Sequence, residues 1–187
     1  MAARADAVED TRRRVLAAAR ELFSSQWYDD VTLASIADVA GVSHQTVLNH
    51  FGSKEGVFAA LAQAVEAEVA ALDARAEPGD TAAAVRTLLD RYEAMGLANA
   101  RMVLQEHRVQ ALHEVLERAR VLHRAWVERT FASWLPPSGP ARRHKVAALL
   151  AATEVMAWKA LRYDYGFSRA DTRAAIAMLI ETLEGQR

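Results

Sequence analysis

Apolar side chains recur at helical spacing along most of the chain. The first run follows the i, i+3, i+4, i+7 pattern of a one-sided helix that begins near Thr11: Val15, Leu16, Ala19, Leu22 and Phe23. After the polar segment SSQWYDDV, Thr32 is a good cap for a short second helix, and Gly41 fits the left-handed residue that ends it. Ser43 then caps a third helix that reaches about His50. The pattern predicts three helices in the amino-terminal quarter of the chain.

Longer helices are predicted in the rest of the chain, with two breaks rich in proline and glycine. EPGD, residues 77–80, is the first break, and PPSGP, residues 136–140, is the second. Two or three helices are expected between the breaks. The best-defined long helices cover about 54–75, 109–135, 141–165 and 169–183. The sequence therefore predicts an all-α fold of about nine helices.

Composition agrees with this fold and excludes several classes of function. Hydrophobic residues, mostly alanine, make up 52% of the chain, with only 8 Gly and 4 Pro, so helices are favoured over strands. The absence of cysteine excludes disulfides, thiolate metal ligands and cysteine nucleophiles. No apolar stretch approaches the ~20 residues of a membrane-spanning helix, and the amino terminus lacks a signal-peptide core, so we expect a cytoplasmic protein with no membrane partner. A net charge of −1 argues against nonspecific coating of nucleic acid, but it allows a small surface that contacts a few phosphates.

The second and third helices, joined by AGVS, form a predicted helix-turn-helix over about 32–51. Ala37 supplies a small residue where the helices cross, Gly41 the turn and Val42 an apolar plug. Polar residues lie on the third helix: His44, Gln45, Thr46, Asn49 and His50. Glutamine and asparagine amides can read adenine edges in the major groove. Hydroxyl, histidine and lysine side chains suit phosphate oxygens, and a helix amino terminus attracts anions. The segment therefore predicts a DNA-reading helix.

Residues 11–72 resemble the DNA-binding domain of the TetR family of bacterial transcriptional regulators. The resemblance rests, in order, on TRRRVLAAARELF, Tyr28, TLASIADVAGVS, Thr46 and HFGSKEGVF, and it covers about a third of the chain. It implies a three-helix DNA-binding domain joined by a long fourth helix to a helical ligand-binding and dimerisation domain, here residues 78–187. Only the layout of that second part resembles the family.

Carried over position by position, the resemblance implies eight DNA-contacting residues. Thr32 lies at the start of the second helix near the DNA backbone, and Lys54 contacts a phosphate from the start of the fourth. The other six belong to the recognition helix, at its start or on its exposed face: Ser43, His44, Gln45, Thr46, Asn49 and His50. For His44, Gln45 and Asn49, simple solvation is the alternative to base contact.

Two positions depart from the family pattern. Leu48 stands where tyrosine is usual, so one hydrogen bond to a phosphate is lost or moved to a neighbour. Trp27 stands where glycine is usual, so the turn after the first helix is expected to be rearranged. Just upstream, Arg12, Arg13 and Arg14 either follow phosphates or form a solvated helix start.

The last two predicted helices carry apolar faces that suit a dimer interface. Small residues on the first of them let another helix approach closely, and the final helix adds larger apolar side chains. The predicted interface residues are Ala148, Ala151, Ala152, Ile176, Leu179 and Leu183. The family layout favours a homodimer through these faces, although the same residues could pack inside one subunit.

The middle helices are predicted to line a pocket for a small-molecule effector. The lining residues are bulky and include few polar groups: Tyr92, Met95, Met102, His123 and Trp126. Such a lining suits a mostly apolar molecule held by one or two hydrogen bonds. His123 also lies on an apolar stripe, where histidine is commonly a core residue with a satisfied hydrogen bond.

No other chemistry is indicated by the sequence. Glu106, His107 and His113 lack the i, i+4 spacing that puts two ligands on one helical face, so no metal site is expected. We find no acid–base pair, nucleophile constellation or phosphate-binding glycine loop, so neither an enzyme nor a cofactor is expected. The sequence predicts a ligand-responsive dimeric regulator, a repressor released from a palindromic DNA operator by an effector. The alternative is a protein of the same fold with weakened DNA binding that acts through protein partners.

Overall fold

The computed structural model describes residues 2–74 and 80–184, with side chains from residue 5 onward. Within these ranges the regular structure is helical throughout, and the all-α prediction is confirmed. The elements used below are α1 (Ala2–Ser25), α2 (Leu33–Ala40), α3 (His44–Phe51), α4 (Lys54–Asp73), α5 (Thr81–Gln105), α6 (Gln110–Thr130), α7 (Gly139–Ala152), α8 (Val155–Lys159) and α9 (Arg169–Glu184). Short 3₁₀ turns follow α1 and α6, and a π-helical turn, Ala160–Asp164, follows α8.

Several predicted boundaries are corrected. The first helix begins at Ala2, well before Thr11. The single helix predicted over 141–165 is broken because Glu154 has extended backbone angles and its own side chain accepts the N–H of Val155. The first predicted break, EPGD, lies outside the described residues except for its last member, as does the predicted end of the fourth helix. Among the residues that the structure describes, no helix has the length and apolar character needed to cross a membrane.

The described chain forms two compact units that do not follow sequence order. The first contains residues up to 68 together with 101–115, and the second contains 69–100 together with 116 onward. The end of α5 and the start of α6 therefore belong with the amino-terminal helices. The sequence predicted domains that divide the chain once, at 72–78.

The core of the first unit is built around Tyr28. Its ring stacks on Phe23, with ring centroids 5.4 Å apart, and meets the Phe58 ring edge-on at 5.3 Å. Leu112, from the start of α6, is fully buried in the same core. Aromatic packing of this kind joins α1, α4 and the α5–α6 corner into one body.

Local capping sets the geometry of the helix-turn-helix, as predicted. The Thr32 hydroxyl accepts the N–H of Ser35 at 3.0 Å, and the Ser35 hydroxyl accepts the N–H of Thr32 at 3.0 Å, which closes a capping box. Gly41 ends α2 with φ of 64°, the left-handed conformation that favours glycine. The Ser43 hydroxyl then accepts the Thr46 N–H at 3.0 Å and starts α3.

Arg14 fixes the same turn from outside. Its guanidinium donates to the carbonyls of Ala40 and Gly41 at 2.5 and 2.8 Å, at the negative end of α2. This contact uses Arg14 inside the unit, so Arg14 is not one of the phosphate-following arginines considered from the sequence. Arg13 instead forms an exposed ion pair with Asp10.

Replacing Arg14 with leucine should therefore destabilise the unit, whereas the same change at Arg13 should not. We expect Arg14→Leu to lower the free energy of unfolding by about 1 kcal/mol, because two terminal carbonyls lose a charged donor. Arg13→Leu, which removes only an exposed pair, should change it by less than about 0.5 kcal/mol. Urea unfolding of both variants is the measurement, and equal losses would contradict the capping role.

Candidate nucleic-acid interface

The recognition helix, α3, is anchored through one side. Val47 is fully buried in the core of the first unit, whereas His44, Gln45 and Asn49 are exposed. Thr46 and His50 are partly exposed. Because residues one position apart on a helix differ by about 100° in direction, burial of Val47 turns the amide-bearing face toward solvent. The predicted polar residues of α3 are therefore accessible to solvent, fully or in part.

The side chains of Gln45 and Asn49 are hydrogen-bonded to each other in the absence of a partner. The Nε2 atom of Gln45 donates to Oδ1 of Asn49 at 2.9 Å, one helical turn apart. The bond leaves the Gln45 carbonyl oxygen, the second N–H of its amide and both N–H groups of Asn49 available. Donors and an acceptor are thus held side by side, which is the combination that base edges in the major groove require.

The Lys54 ammonium contacts Tyr28. Its Nζ donates to the carbonyl oxygen of Tyr28 at 3.0 Å and lies 4.3 Å from the centroid of the Tyr28 ring. An ammonium has three N–H donors, so this contact leaves donors for a phosphate. Its predicted phosphate contact stays a prediction, now with a defined starting position.

The Glu55 carboxylate lies next to the Tyr28 hydroxyl and affects its pKa. The Tyr28 hydroxyl donates to a Glu55 carboxylate oxygen at 3.4 Å. Burial, with the Glu55 charge second, raises the pKa of Tyr28 far above its ordinary value. The Glu55 carboxylate is stabilised by its own backbone N–H and by the Ser53 hydroxyl, which lower the pKa of Glu55. Tyr28 therefore remains a neutral hydrogen-bond donor.

The α5–α6 corner also holds the turn after α1, a contact that the sequence did not predict. The side-chain oxygen of Gln105 accepts the Tyr28 N–H at 3.0 Å, and Arg108 pairs with Asp29 at 2.5 Å. Arg101 donates to the Ser24 carbonyl at 2.8 Å. These partners are about 77 residues apart in sequence, and no local pattern signals such a pairing.

The two departures from the family pattern have different outcomes. Trp27 has φ of −70° and ψ of 151°, an extended conformation that any residue adopts, so this turn does not require glycine. The Arg101 guanidinium lies 6.0 Å from the centroid of the Trp27 ring.

Leu48 is partly buried and has no side-chain hydrogen-bonding group, while Arg12 lies 4.9 Å from the centroid of the Phe51 ring, three residues further along α3. The Arg12 guanidinium therefore lies beside the end of α3.

Comparison with known proteins identifies this helix-turn-helix. Residues 15–61 match the family model described as bacterial regulatory proteins, tetR family. This segment, a quarter of the chain, is therefore similar to the DNA-binding domain of tetR-family regulators. The chain is 32% identical over 65 residues to the HTH-type transcriptional repressor AcnR of Corynebacterium glutamicum, covering 35% of each chain. It is 31% identical over 131 residues to the HTH-type transcriptional regulator SrpR of Pseudomonas putida, covering 59% of this chain and 62% of SrpR. The matches thus span less than two thirds of either relative.

Solved structures of transcriptional regulators share the fold over nearly the whole chain. A transcriptional regulator from Rhodococcus sp. Rha1 has a TM-score of 0.73 at 19% identity, over 92% of this chain and 95% of that one. NalD of Pseudomonas aeruginosa, described as the secondary repressor of the MexAB-OprM multidrug efflux pump, has a TM-score of 0.63 at 22% identity, over 95% of each chain. At these identities the likeness concerns the fold.

The predicted effector-pocket residues do not all belong to one compact unit. Met102 packs against the core of the first unit, and its place in an effector pocket stays a prediction. Tyr92 and Trp126 are buried in the core of the second unit, and Met95 is partly buried on α5. Periodicity placed Met102 on the right helix, but it could not show that α5 passes from one unit to the other.

Thr153, which the sequence analysis missed, joins Tyr92 and His123. Its carbonyl accepts the Tyr92 hydroxyl at 2.7 Å, and its side-chain oxygen lies 2.9 Å from Nε2 of His123. The Thr153 hydroxyl donates to the Leu149 carbonyl at 2.7 Å, so it must accept from His123. This places a proton on Nε2 of the imidazole, which stacks on Trp126 with ring centroids 5.5 Å apart.

His113 lies apart from this cluster, in the first unit. Its Nδ1 atom is 3.2 Å from a carboxylate oxygen of Glu106. Glu117 lies four residues after His113 on α6, which is the spacing that puts two potential metal ligands on one helical face. The expectation of no metal site stays a prediction.

The predicted dimer face is also corrected. Ile176 is only 1% exposed and Ala152 is buried, so both belong to the core of the second unit. Ala151 and Leu179 are exposed, and Ala148 and Leu183 are partly exposed. Met178, which the sequence analysis omitted, is 64% exposed beside Leu179 at 53%. Helix α9 therefore has an inner apolar stripe and an outer one, and only the outer one is available to a partner.

Burial makes His123 a source of acid sensitivity. Desolvation, with the nearby Arg91 charge second, lowers the pKa of His123 from 6.5 to about 4. Because the unfolded state takes up the proton first, the stability contributed by neutral His123 is complete above about pH 6.5 and is lost as the pH falls toward 4.

His123→Gln, which keeps a donor for Thr153, should remove this sensitivity. The wild type should lose about 3 kcal/mol more of its unfolding free energy between pH 7 and pH 4 than the variant does. His144→Gln, at an exposed position of α7, should behave like the wild type. Urea unfolding across this pH range is the measurement, and parallel curves for all three proteins would rule out a buried neutral His123.

Proposed function

We propose that the chain is a transcriptional regulator that binds a double-stranded DNA operator through α3 and acts in the cytoplasm. The observation that carries the proposal is the geometry of α3. One side is anchored by fully buried Val47, and the accessible side presents the hydrogen-bonded Gln45 and Asn49 amides. The match of residues 15–61 to the tetR family model supports the regulatory role and agrees with the prediction that the chain is not an enzyme.

The eight predicted contacts divide by chemistry. Gln45 and Asn49 carry paired donors and acceptors and are proposed to read bases, with His44 beside them. Thr32 and Ser43 use their hydroxyls as helix caps, so they offer a phosphate mainly the positive helix start that they order. Hydroxyl and cationic groups complete the proposed phosphate set: Thr46, His50 and Lys54. Repressor action is proposed because relatives such as AcnR carry that description.

The second candidate is a protein of the same fold that acts through protein partners with weakened DNA binding. Leu48 favours this candidate, because its side chain cannot donate to a phosphate. The exposed amide pair favours operator reading, because it offers no apolar surface to a protein partner. A binding assay with DNA selected from a random library, at fixed salt, separates the two candidates. Absence of any preferred sequence would favour the second.

Base reading and phosphate contact should respond differently to mutation. Gln45→Ala and Asn49→Ala should each relax preference at particular base pairs by ~1–3 kcal/mol. Lys54→Met should weaken all sequences alike and make the dependence of log K on log salt shallower by about one unit. Binding of the selected operator and its single-base variants, measured over a range of salt concentrations, tests this division.

Glu21→Ala provides a control for this experiment, because it changes an exposed charge near the other end of α1. It should leave the pattern of base preference intact. If Gln45→Ala, Asn49→Ala and Lys54→Met all weaken every operator variant equally, the proposed division of contacts is wrong.

We further propose a homodimer that reads a palindromic operator. One recognition helix reads too few base pairs to compete with the rest of a genome, so two copies are needed. A two-fold dimer presents two such helices to two half-sites. The supporting observation is the outer stripe of α9, where Met178 and Leu179 are exposed, together with exposed Ala151 near the end of α7.

Leu179→Glu should convert the dimer into a monomer that binds the operator far more weakly. The side chain is 53% exposed, so the substitution should not disturb the core of the unit. Val121→Glu is a matched control, because Val121 is an apolar residue of α6 that is 67% exposed outside the predicted interface. Light scattering gives the mass of each. A dimeric Leu179→Glu variant, or a monomeric Val121→Glu variant, would move the interface elsewhere.

A small, mostly apolar effector completes the proposal. Tyr92, Met95, His123 and Trp126 remain as its candidate neighbours in the second unit. Tyr92 and His123 both bond to Thr153, so an effector that takes over either hydrogen bond would replace an internal partner. It would release DNA only by binding the released arrangement better, by ~1–3 kcal/mol.

A further inference from the structure

We propose that Gln105 is a positioning residue for the DNA contact of Lys54, and that it acts through the backbone of Tyr28. The proposal rests on the proposed function, since it takes Lys54 to contact a phosphate. It concerns a residue far from α3 in sequence, at the end of α5, that lies within the first unit.

Gln105 is fixed at both ends of its amide. It is only 4% exposed. Its oxygen accepts the Tyr28 N–H at 3.0 Å, and its Nε2 atom donates to the Arg101 carbonyl at 3.0 Å, one turn earlier in α5. The second bond sets the orientation of the amide, because a flipped amide would point a donor at the Tyr28 N–H. The Gln105 oxygen is therefore held in place to receive Tyr28.

Tyr28 connects Gln105 to Lys54 through its own backbone. The residue that donates its N–H to Gln105 accepts the Lys54 ammonium at its carbonyl oxygen, at 3.0 Å, and its ring lies beneath that ammonium at 4.3 Å. Lysine otherwise has many rotamers, and ordering them opposes binding. Because the ammonium is already held, less side-chain entropy is lost when it contacts a phosphate.

Without the Gln105 acceptor, the Tyr28 N–H would be a buried donor with no partner. Such a group costs free energy, so the turn after α1 would shift to recover a hydrogen bond. The carbonyl that anchors Lys54 belongs to the same residue and would shift with it. Another polar link to this turn, Arg108 with Asp29, is exposed at both side chains and contributes little in water.

The test compares the salt dependence of DNA binding in a double-mutant cycle. The probe is a short duplex of mixed sequence, because a phosphate contact needs no particular bases. Lys54→Met should make the slope of log K against log salt shallower by about one unit. Gln105→Met, close in shape but without the amide acceptor, should produce most of that change and a roughly threefold loss of affinity at physiological salt. In a Lys54→Met background, Gln105→Met should change the slope no further.

Two variants separate positioning from stability alone. Arg108→Met removes the exposed link to the same turn and should keep the wild-type slope. Gln105→Asn withdraws the amide by one methylene, so it should lower the slope as Gln105→Met does, and it serves if Gln105→Met fails to fold. If Gln105 had a merely structural role, Gln105→Met would lower the melting temperature with and without Lys54. It would leave the slope of log K against log salt unchanged.

The outcomes distinguish this inference from the function on which it rests. No salt-dependent DNA binding by the wild type would overturn the proposed function and the inference together. A shallower slope for Lys54→Met, with a wild-type slope for a folded Gln105 variant, would overturn the inference alone. Equal effects of Gln105→Met with and without Lys54 would also overturn it.

Discussion

Tyr28 connects most of the first unit through a single residue. Its ring lies between Phe23 of α1 and Phe58 of α4, its N–H donates to Gln105 of α5, and its carbonyl accepts Lys54. These four contacts restrain three helices, so the positions of α1, α4 and the α5–α6 corner depend on one buried side chain and its two peptide groups. The helix-turn-helix is then held against this body by the buried Val47 side of α3.

The helix-turn-helix could be predicted from sequence because its determinants are local. Thr32 and Ser43 cap helices through atoms three residues away, and Gly41 adopts a left-handed conformation that few other residues tolerate. These preferences hold whatever the rest of the chain does. The break between α7 and α8 was missed because an alanine-rich sequence is compatible with a continuous helix, and nothing local marks Glu154 as extended.

Side-chain partners distant in sequence could not be predicted in the same way. Gln105 resembles any polar residue near a helix end until the fold places it at the Tyr28 N–H. Met102 follows a helical stripe that continues from one compact unit into the other, so spacing alone grouped it with residues of the second unit. On α9, Ile176 and Leu179 are both apolar and both fit a helical stripe. Only the packing of the second unit shows that Ile176 is buried and Leu179 is exposed. The family resemblance supplied roles for residues of α3, but it was silent about these contacts.

The account depends most on the claim that the accessible face of α3 reads DNA as one of a symmetric pair. Selection of DNA by the wild-type protein from a random-sequence library, followed by sequencing, tests that claim directly. The account predicts enrichment of an inverted repeat whose half-sites are centred about one helical turn, or a small multiple of it, apart. Recovery of no preferred sequence, or of a preferred sequence without two-fold symmetry, would contradict it.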